Sequence, residues 1–312
     1  MKIVIICVIF FFLFRSLTTN WKELEGLEVK FSYIRALLSF AVIMAAWFAA
    51  AWNWGRVLKA FNQKMGFGDV FIIYFKSNLG KYLPGKIWQI VGSTYLAVAK
   101  GVPEGIAITA SLIGQAYSVL SGLSLFAAAV ALGLIRVAPP VDLIFRWSAF
   151  PALMFLLALA VRPDLAQPLL NRLMRIFRRQ EVSIRFKVSR AIELFFLYLI
   201  CWLLFGLGLW LFANALTPAG FAFYIPLTAI FAAAVAVGFL ALFAPGGLGV
   251  REGIIALFLA TLPPFHTPLP SAIAVGYRII MTTAELIAFG LTWVVKWKRK
   301  LPINGHTSTF LF

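Results

Sequence analysis

Apolar positions along this chain come in long runs, with polar residues gathered between them instead of alternating through them. A helix crossing a bilayer needs roughly 20 apolar residues, fewer where flanking side chains snorkel. On that measure the pattern predicts spans at about 3–17 (short), 33–54, 106–135, 143–161, 192–213, 221–243 and 271–295. Two stretches break the pattern. Residues 69–99 hold Lys76, Lys81 and Lys86 and are cut at Pro84-Gly85. Residues 244–262 open with Ala244-Pro245-Gly246-Gly247-Leu248-Gly249 and leave only a half-length apolar run, Ile254 to Leu262.

The polar positions between the runs set the orientation, because Lys and Arg in short loops stay on the cytoplasmic side. Segment 162–191 carries Arg162, Arg172, Arg175, Arg178, Arg179, Arg185, Lys187 and Arg190, and the last span is followed by Lys296, Lys298, Arg299 and Lys300. Both are expected in the cytoplasm. Counting spans outward then makes 221–262 start and finish outside, as a hairpin bent at Pro245 to Gly249. It makes 69–99 start and finish inside, a re-entrant hairpin bent at Pro84-Gly85. Pro84 follows residue 54 by 30 positions and Pro245 follows residue 213 by 32. Paired Gly/Pro-interrupted segments at matching places point to an inverted repeat with a binding site near the midplane. The expected architecture is an all-α polytopic membrane protein of about seven spans plus two broken hairpins. Pseudo-repeats of about 33–135 and 192–295 are joined by the basic loop 162–191, within one domain 1–300 followed by a flexible tail, 301–312. The expected location is the inner (cytoplasmic) membrane with the C-terminus inside. The first apolar segment reads as a retained span, since Arg15-Ser16-Leu17 follows it and no small-x-small cleavage site appears.

Composition agrees with this pattern and narrows the function. The 312 residues are 62% hydrophobic and 12% charged, half the charged share of a soluble domain, with mean hydropathy +0.94. Lys and Arg number 28 against 11 Asp and Glu. Nucleic acid needs a solvated basic surface, which this composition does not provide, so no nucleic-acid partner is expected. The informative charges are the few inside the membrane region, where each costs about 2.5–3.5 kcal/mol at a helix centre. Lys81, Lys86, Arg251 and Arg278 facing lipid tails would together cost on the order of 10 kcal/mol. They are therefore expected to line a polar cavity or to pair with acids. For Arg278 the candidate partners are Glu252 and Glu285, the latter seven residues along the same helix. Lys86 and Arg251 open half-helices, whose free N–H groups and positive dipole end attract anions such as phosphate. Glycine is required where backbone approaches a ligand closely or takes positive φ. Lys76 reads as snorkelling to a headgroup. Ser111, Gly114, Ser118, Ser121 and Gly122 form a small-residue face suited to close helix packing, with Gln115 beside it as a candidate cavity contact. His266 and His306 are isolated, Cys7 and Cys201 lie in apolar runs, and no nucleophile elbow or nucleotide loop occurs. No metal, no cofactor and no catalytic residue is expected.

The first bend, Gly80-Lys81-Tyr82-Leu83-Pro84-Gly85-Lys86-Ile87-Trp88, precedes Pro245-Gly246-Gly247-Leu248-Gly249-Val250-Arg251-Glu252-Gly253 and a span holding Arg278 and Glu285. In this order the motifs resemble the lysylphosphatidylglycerol synthase transmembrane-region family, also described as flippase-like, over about residues 1–297. The resemblance implies a domain that moves lipid headgroups between leaflets, here in the stand-alone form without an aminoacyl-transferase domain. It leaves the lipid open among aminoacylated, glycosylated and other anionic headgroups. Gln115 falls where many relatives are expected to carry an acid, which alters the cavity's charge balance. The candidate substrate-binding set is Lys81, Tyr82, Pro84, Gly85, Lys86, Pro245, Gly246, Gly247, Gly249, Arg251, Glu252, Arg278 and Glu285. The expected partner is a membrane lipid. An alternative role is a non-catalytic subunit presenting lipid to a separate lipid-modifying transferase. An ion-coupled carrier of small solutes, with Glu193, Glu252 and Glu285 moving protons, is a third reading that the excess of bases disfavours.

Overall fold

The computed structural model describes residues 31–83, 87–136, 141–168, 171–172, 187–241, 244–265 and 269–299. The expected short span 3–17, most of the basic loop and the tail 301–312 lie outside these residues, as do Pro84, Gly85 and Lys86. The described chain is helical throughout: α1 Tyr33–Ala60, α2 Phe67–Asn78, α3 Trp88–Val98, α4 Glu104–Ala131, α5 Val141–Val161, α6 Val188–Leu216, α7 Tyr224–Leu240, α8 Val250–Leu259 and α9 Leu269–Arg299. Among the described residues six helices are long and apolar enough to cross a membrane: α1, α4, α5, α6, α7 with its leading turn, and α9. The protein is an all-α, multi-pass membrane protein.

Helix ends depart from the sequence expectation where a local stop signal is hidden in an apolar run. The span expected to reach 135 stops at Ala131, because Gly133 takes φ +69 and the amides of Gly133 and Leu134 bond back to Val130 and Ala129. That is a Schellman stop, and the apolar Leu132, Leu134 and Ile135 disguise it. Likewise α7 ends at Leu240, ahead of the expected 243. In the first hairpin the α-helix ends at Asn78, well before the Pro-Gly pair, and tightens into a 3-10 turn over Leu79–Tyr82.

Helices α1 and α6 run antiparallel along most of their length. Ser32 N–H donates to the Ala215 carbonyl (2.9 Å), Ser39 Oγ to Gly208 (2.7 Å) and Asn53 Nδ2 to Leu197 (2.9 Å), and Arg56 pairs with Glu193. These two helices open the two segments read from the sequence as pseudo-repeats, and they point in opposite directions. Each continues into a hairpin from its own end. The hairpin of α2 and α3 closes at its base through Lys100 and Asp69 (3.1 Å), near the Arg56 end of α1. The hairpin of α7 and α8 closes at the opposite end, where the Phe223 and Phe265 rings meet at 6.1 Å. Cross-packing completes the exchange: α4 lies along α7, and α9 lies along α2. The hairpins thus enter the bundle from opposite ends and meet tip to tip.

The core is built from large aromatics set into small-residue gaps. Trp47, Trp202, Phe205, Phe231 and Tyr277 form a continuous edge-to-face and tilted cluster where α1, α6, α7 and α9 converge. Backbone approach is closest where glycine faces a side chain. A Cβ on Gly206 would lie 1.9 Å from Thr228 Oγ1, and one on Gly122 would lie 3.1 Å from the Trp202 ring. The small-residue face of α4 is therefore a packing face against α6, as close helix contact requires in a bilayer. Helix α5 is the exception: only 11% of its apolar window is buried, and Leu143, Ile144, Trp147, Phe150, Met154 and Phe155 face outward.

Gly206→Ala forces α6 from α7 and is expected to cost about 2 kcal/mol, read as a lower unfolding temperature in detergent. Thr228→Gly in the same chain should recover part of the loss. Gly220→Ala, where a Cβ meets nothing within 4 Å, should leave the temperature unchanged.

Candidate functional site

At the first tip the chain can close only because Gly80 has no side chain. A Cβ there would lie 2.7 Å from the backbone of Trp88 and Gln89, where α3 begins. The tight 3-10 turn aims Lys81 and Tyr82 across the bundle at α9. Glu285, 1% exposed, receives them: its Oε1 accepts from Lys81 Nζ and from Asn78 Nδ2, both at 2.6 Å, and its Oε2 accepts from Tyr82 OH at 3.0 Å. Lys81 also stands 4.7 Å from the centre of the Trp47 ring, a favourable place for an ammonium. Asn78 is held in turn by Gln89 Nε2 (2.9 Å), which ties both arms of the hairpin to the same carboxylate.

The second tip is shaped by Arg251. Its stem passes between Gly238 and Gly247, where added Cβ atoms would lie 2.3 and 2.7 Å from its Cγ and Cδ. Gly246, Gly247 and Gly249 all take positive φ (59°, 73° and 80°), a conformation that favours glycine. Pro245 opens the 3-10 turn that carries the first two of these glycines. Glu252, in the first turn of α8, folds back so that Oε2 accepts the Gly249 amide at 2.7 Å. The N-terminus of α8, expected to offer free N–H groups to an anion, thus meets the chain's own carboxylate at Gly249. Glu252 Oε1 faces Arg278 Nη1 at 3.2 Å, while Arg278 Nη2 donates to the Gly246 carbonyl at 3.1 Å. Of the two partners the sequence allowed for Arg278, the structure takes Glu252. Glu285 is reserved for the first tip.

The two tips touch. A Cβ on Gly246 would lie 2.8 Å from the Tyr82 ring and 3.2 Å from Arg278 Nη2, so Tyr82 packs on bare backbone. Beside this junction lies a cavity of about 160 Å³ bounded by both tips and by α1, α4, α6 and α7. Its polar wall comprises Asn78, Lys81, Gln89, Gln115 and Arg251 with several serines; its apolar wall includes Trp54, Trp202, Phe231 and Phe239. Of the sequence-derived set, Lys81, Gly246 and Arg251 line this cavity, and Tyr82, Glu252, Arg278 and Glu285 form the charged frame around the tips. Gln115 also reaches the cavity. Asn78 and Gln89 were not singled out by sequence reasoning; the sole signal was an amide at the end of the apolar run Val70 to Phe75.

Counting charge gives the cavity its character. Lys81 is matched by Glu285 and Arg278 by Glu252. Among the described residues no carboxylate lies within ion-pair reach of Arg251, whose Nη1 has the Gly246 carbonyl at 3.5 Å. A guanidinium carries five donors in a planar fork suited to phosphate or carboxylate. Among the described residues the site therefore presents one cation without a carboxylate partner, on the polar wall of a partly open cavity.

Two broken hairpins entering the helical bundle from opposite ends and meeting beside a cavity define a multi-pass membrane protein with its charged residues gathered at the hairpin tips. The chain belongs to the lysylphosphatidylglycerol synthase TM region family, whose model matches residues 1–288. That membership gives it a role tied to membrane lipids. No curated protein matches the chain.

A buried pair broken on one side leaves a lone charge, costing about 3–5 kcal/mol. Glu285→Gln and Lys81→Met should each lower the unfolding temperature in detergent. The double variant should lose less than the sum, with a coupling of about 1–3 kcal/mol. Additive losses would show that the two side chains do not act together.

Proposed function

We propose that the protein is a lipid translocase that carries the phosphate-bearing or otherwise anionic headgroup of a membrane lipid between leaflets. The observation that carries this reading is Arg251, a cation without a carboxylate partner among the described residues, on the wall of a cavity shared by two oppositely directed hairpins. An anion entering the cavity supplies the missing negative charge. Lys81 adds a second donor from the facing tip, and Lys86, on the same bend in sequence, is a third candidate. Asn78, Gln89 and Gln115 offer neutral hydrogen bonds to the sugar, glycerol or amino-acid portion of a headgroup.

Movement follows from the way the tips are tethered. Both hang on α9, the first through Glu285 and the second through Arg278. Rocking one half against the other opens the cavity first beside one hairpin and then beside the other, while the tails remain among lipid. The ion pairs keep the four framing charges neutral in both positions, so the cargo's charge is set against Arg251. The reading is of a carrier and not an enzyme, and its partner is the lipid.

The test is scrambling of fluorescent phosphatidylglycerol by the purified protein in liposomes. Arg251→Ala removes a charge-assisted contact worth about 1.5–3 kcal/mol and should slow transport at least tenfold. Lys86→Ala should slow it less. Undiminished transport in both variants would overturn the reading. Retained lipid binding with no translocation by the unaltered protein would point instead to a subunit presenting lipid to a transferase.

A further inference from the structure

A second pocket lies away from the cavity, at the base of the first hairpin. Helix α1 ends in a Schellman stop: Asn62 takes φ +59, its amide bonds to Lys59 and the Gln63 amide bonds to Leu58. The chain is thereby turned back on itself, so that Gln63 and Lys64 stand over the last turns of α1. Gly55 lets α2 close against α1, with the Val70 methyls 3.1 Å from where its Cβ would be. Between these segments is a pocket of about 270 Å³ lined by Arg56, Lys59, Gln63 and Lys64 on the polar side and by Trp52 and Phe67 on the other.

Charge and position say what fits. Arg56 is engaged by Glu193, and the nearby Lys100 is engaged by Asp69. Lys59 and Lys64 are exposed and have no carboxylate in reach among the described residues. Trp52 and Phe67, 49% and 40% exposed, stack obliquely with centroids 5.6 Å apart on the outer face of the bundle. They lie on the last part of the α1 span and at the first residue of α2, where a headgroup layer would run. A pocket with ammonium groups at one wall and an aromatic pair continuing toward the lipid tails matches an amphiphile with an anionic head.

We propose that this pocket is a resident binding site for an anionic phospholipid of the surrounding bilayer. The phosphodiester lies between Lys59 and Lys64 with the Gln63 amide, and an acyl chain lies along Trp52 and Phe67. Such a lipid clasps the α1–α2 turn from which the first hairpin departs. The site shares no residue with the central cavity and does not depend on translocation occurring there.

The experiment replaces Phe67 with benzoylphenylalanine in the full chain, reconstitutes it in nanodiscs of phosphatidylglycerol or phosphatidylcholine, and reads lipid adducts by mass spectrometry after illumination. The expected result is labelling at least fivefold greater with phosphatidylglycerol, falling to the phosphatidylcholine level when Lys59→Gln and Lys64→Gln are added. The same probe at Leu143, on lipid-facing α5, should label equally from both lipids and report that the variants remain folded. Equal labelling at position 67 from both lipids, or insensitivity to the two substitutions, would overturn the proposal. So would loss of the preference in excess inorganic phosphate, which would assign the pocket to a free anion, or crosslinking to protein in place of lipid. Scrambling by the Arg251→Ala chain is a separate readout, so either reading can fail alone.

Discussion

A buried carboxylate with three donors holds this structure in its working arrangement. Glu285 is 1% exposed in the middle of a long helix whose other buried charge, among the described residues, is Arg278. In a medium that solvates charge poorly, a lone carboxylate is costly unless it is met by an opposite charge and by hydrogen bonds. Asn78, Lys81 and Tyr82 supply both, and all three come from the end of α2 and the turn after it. The cost of the charge thus becomes the force that pins an irregular tip inside the bundle. Without it, four residues of 3-10 backbone at membrane depth would have no reason to stay there.

The second tip solves the same problem with the charges reversed. Here the cation, Arg278, is on the long helix, and the acid, Glu252, is on the hairpin. Each tip is tied to α9 by one ion pair, and each pair is internally neutral. Arg251 is left over. It is threaded between two glycines so that its guanidinium enters the cavity without displacing backbone. The difference between a framing cation and a cargo-binding one lies in what stands next to it, and residue type alone does not reveal it.

Much of the architecture was legible in the chain. Long apolar runs give helices because only internal backbone pairing satisfies N–H and C=O groups in lipid, and six of those runs became span-length helices. The Pro-Gly breaks marked the hairpins, and lysine and arginine counts implied that they enter from opposite sides. Helix ends were less legible where apolar residues continue past the stop. Gly133 and Leu240 end their helices through backbone geometry that hydropathy does not register. The charged residues that meet at the two tips were visible, since ionisable groups in apolar spans stand out. Asn78 and Gln89 were not, because a neutral amide in an apolar run carries little weight until its partner is known.

The sequence by itself determined the class of molecule, the places of its long helices and the set of charges that had to be reconciled in the membrane. Those follow from one-dimensional quantities: run length, breaker positions and the distribution of bases. Only the tertiary structure decided who pairs with whom. Arg278 had two candidate acids in the sequence, and Lys81 looked as free as Arg251. Burial beside α9 gave Glu285 to Lys81 and Glu252 to Arg278, and so left Arg251 as the cavity-lining cation without a carboxylate partner among the described residues. Pairing depends on distances across the bundle, between residues 204 positions apart for Lys81 and Glu285, and no local pattern in the chain encodes them.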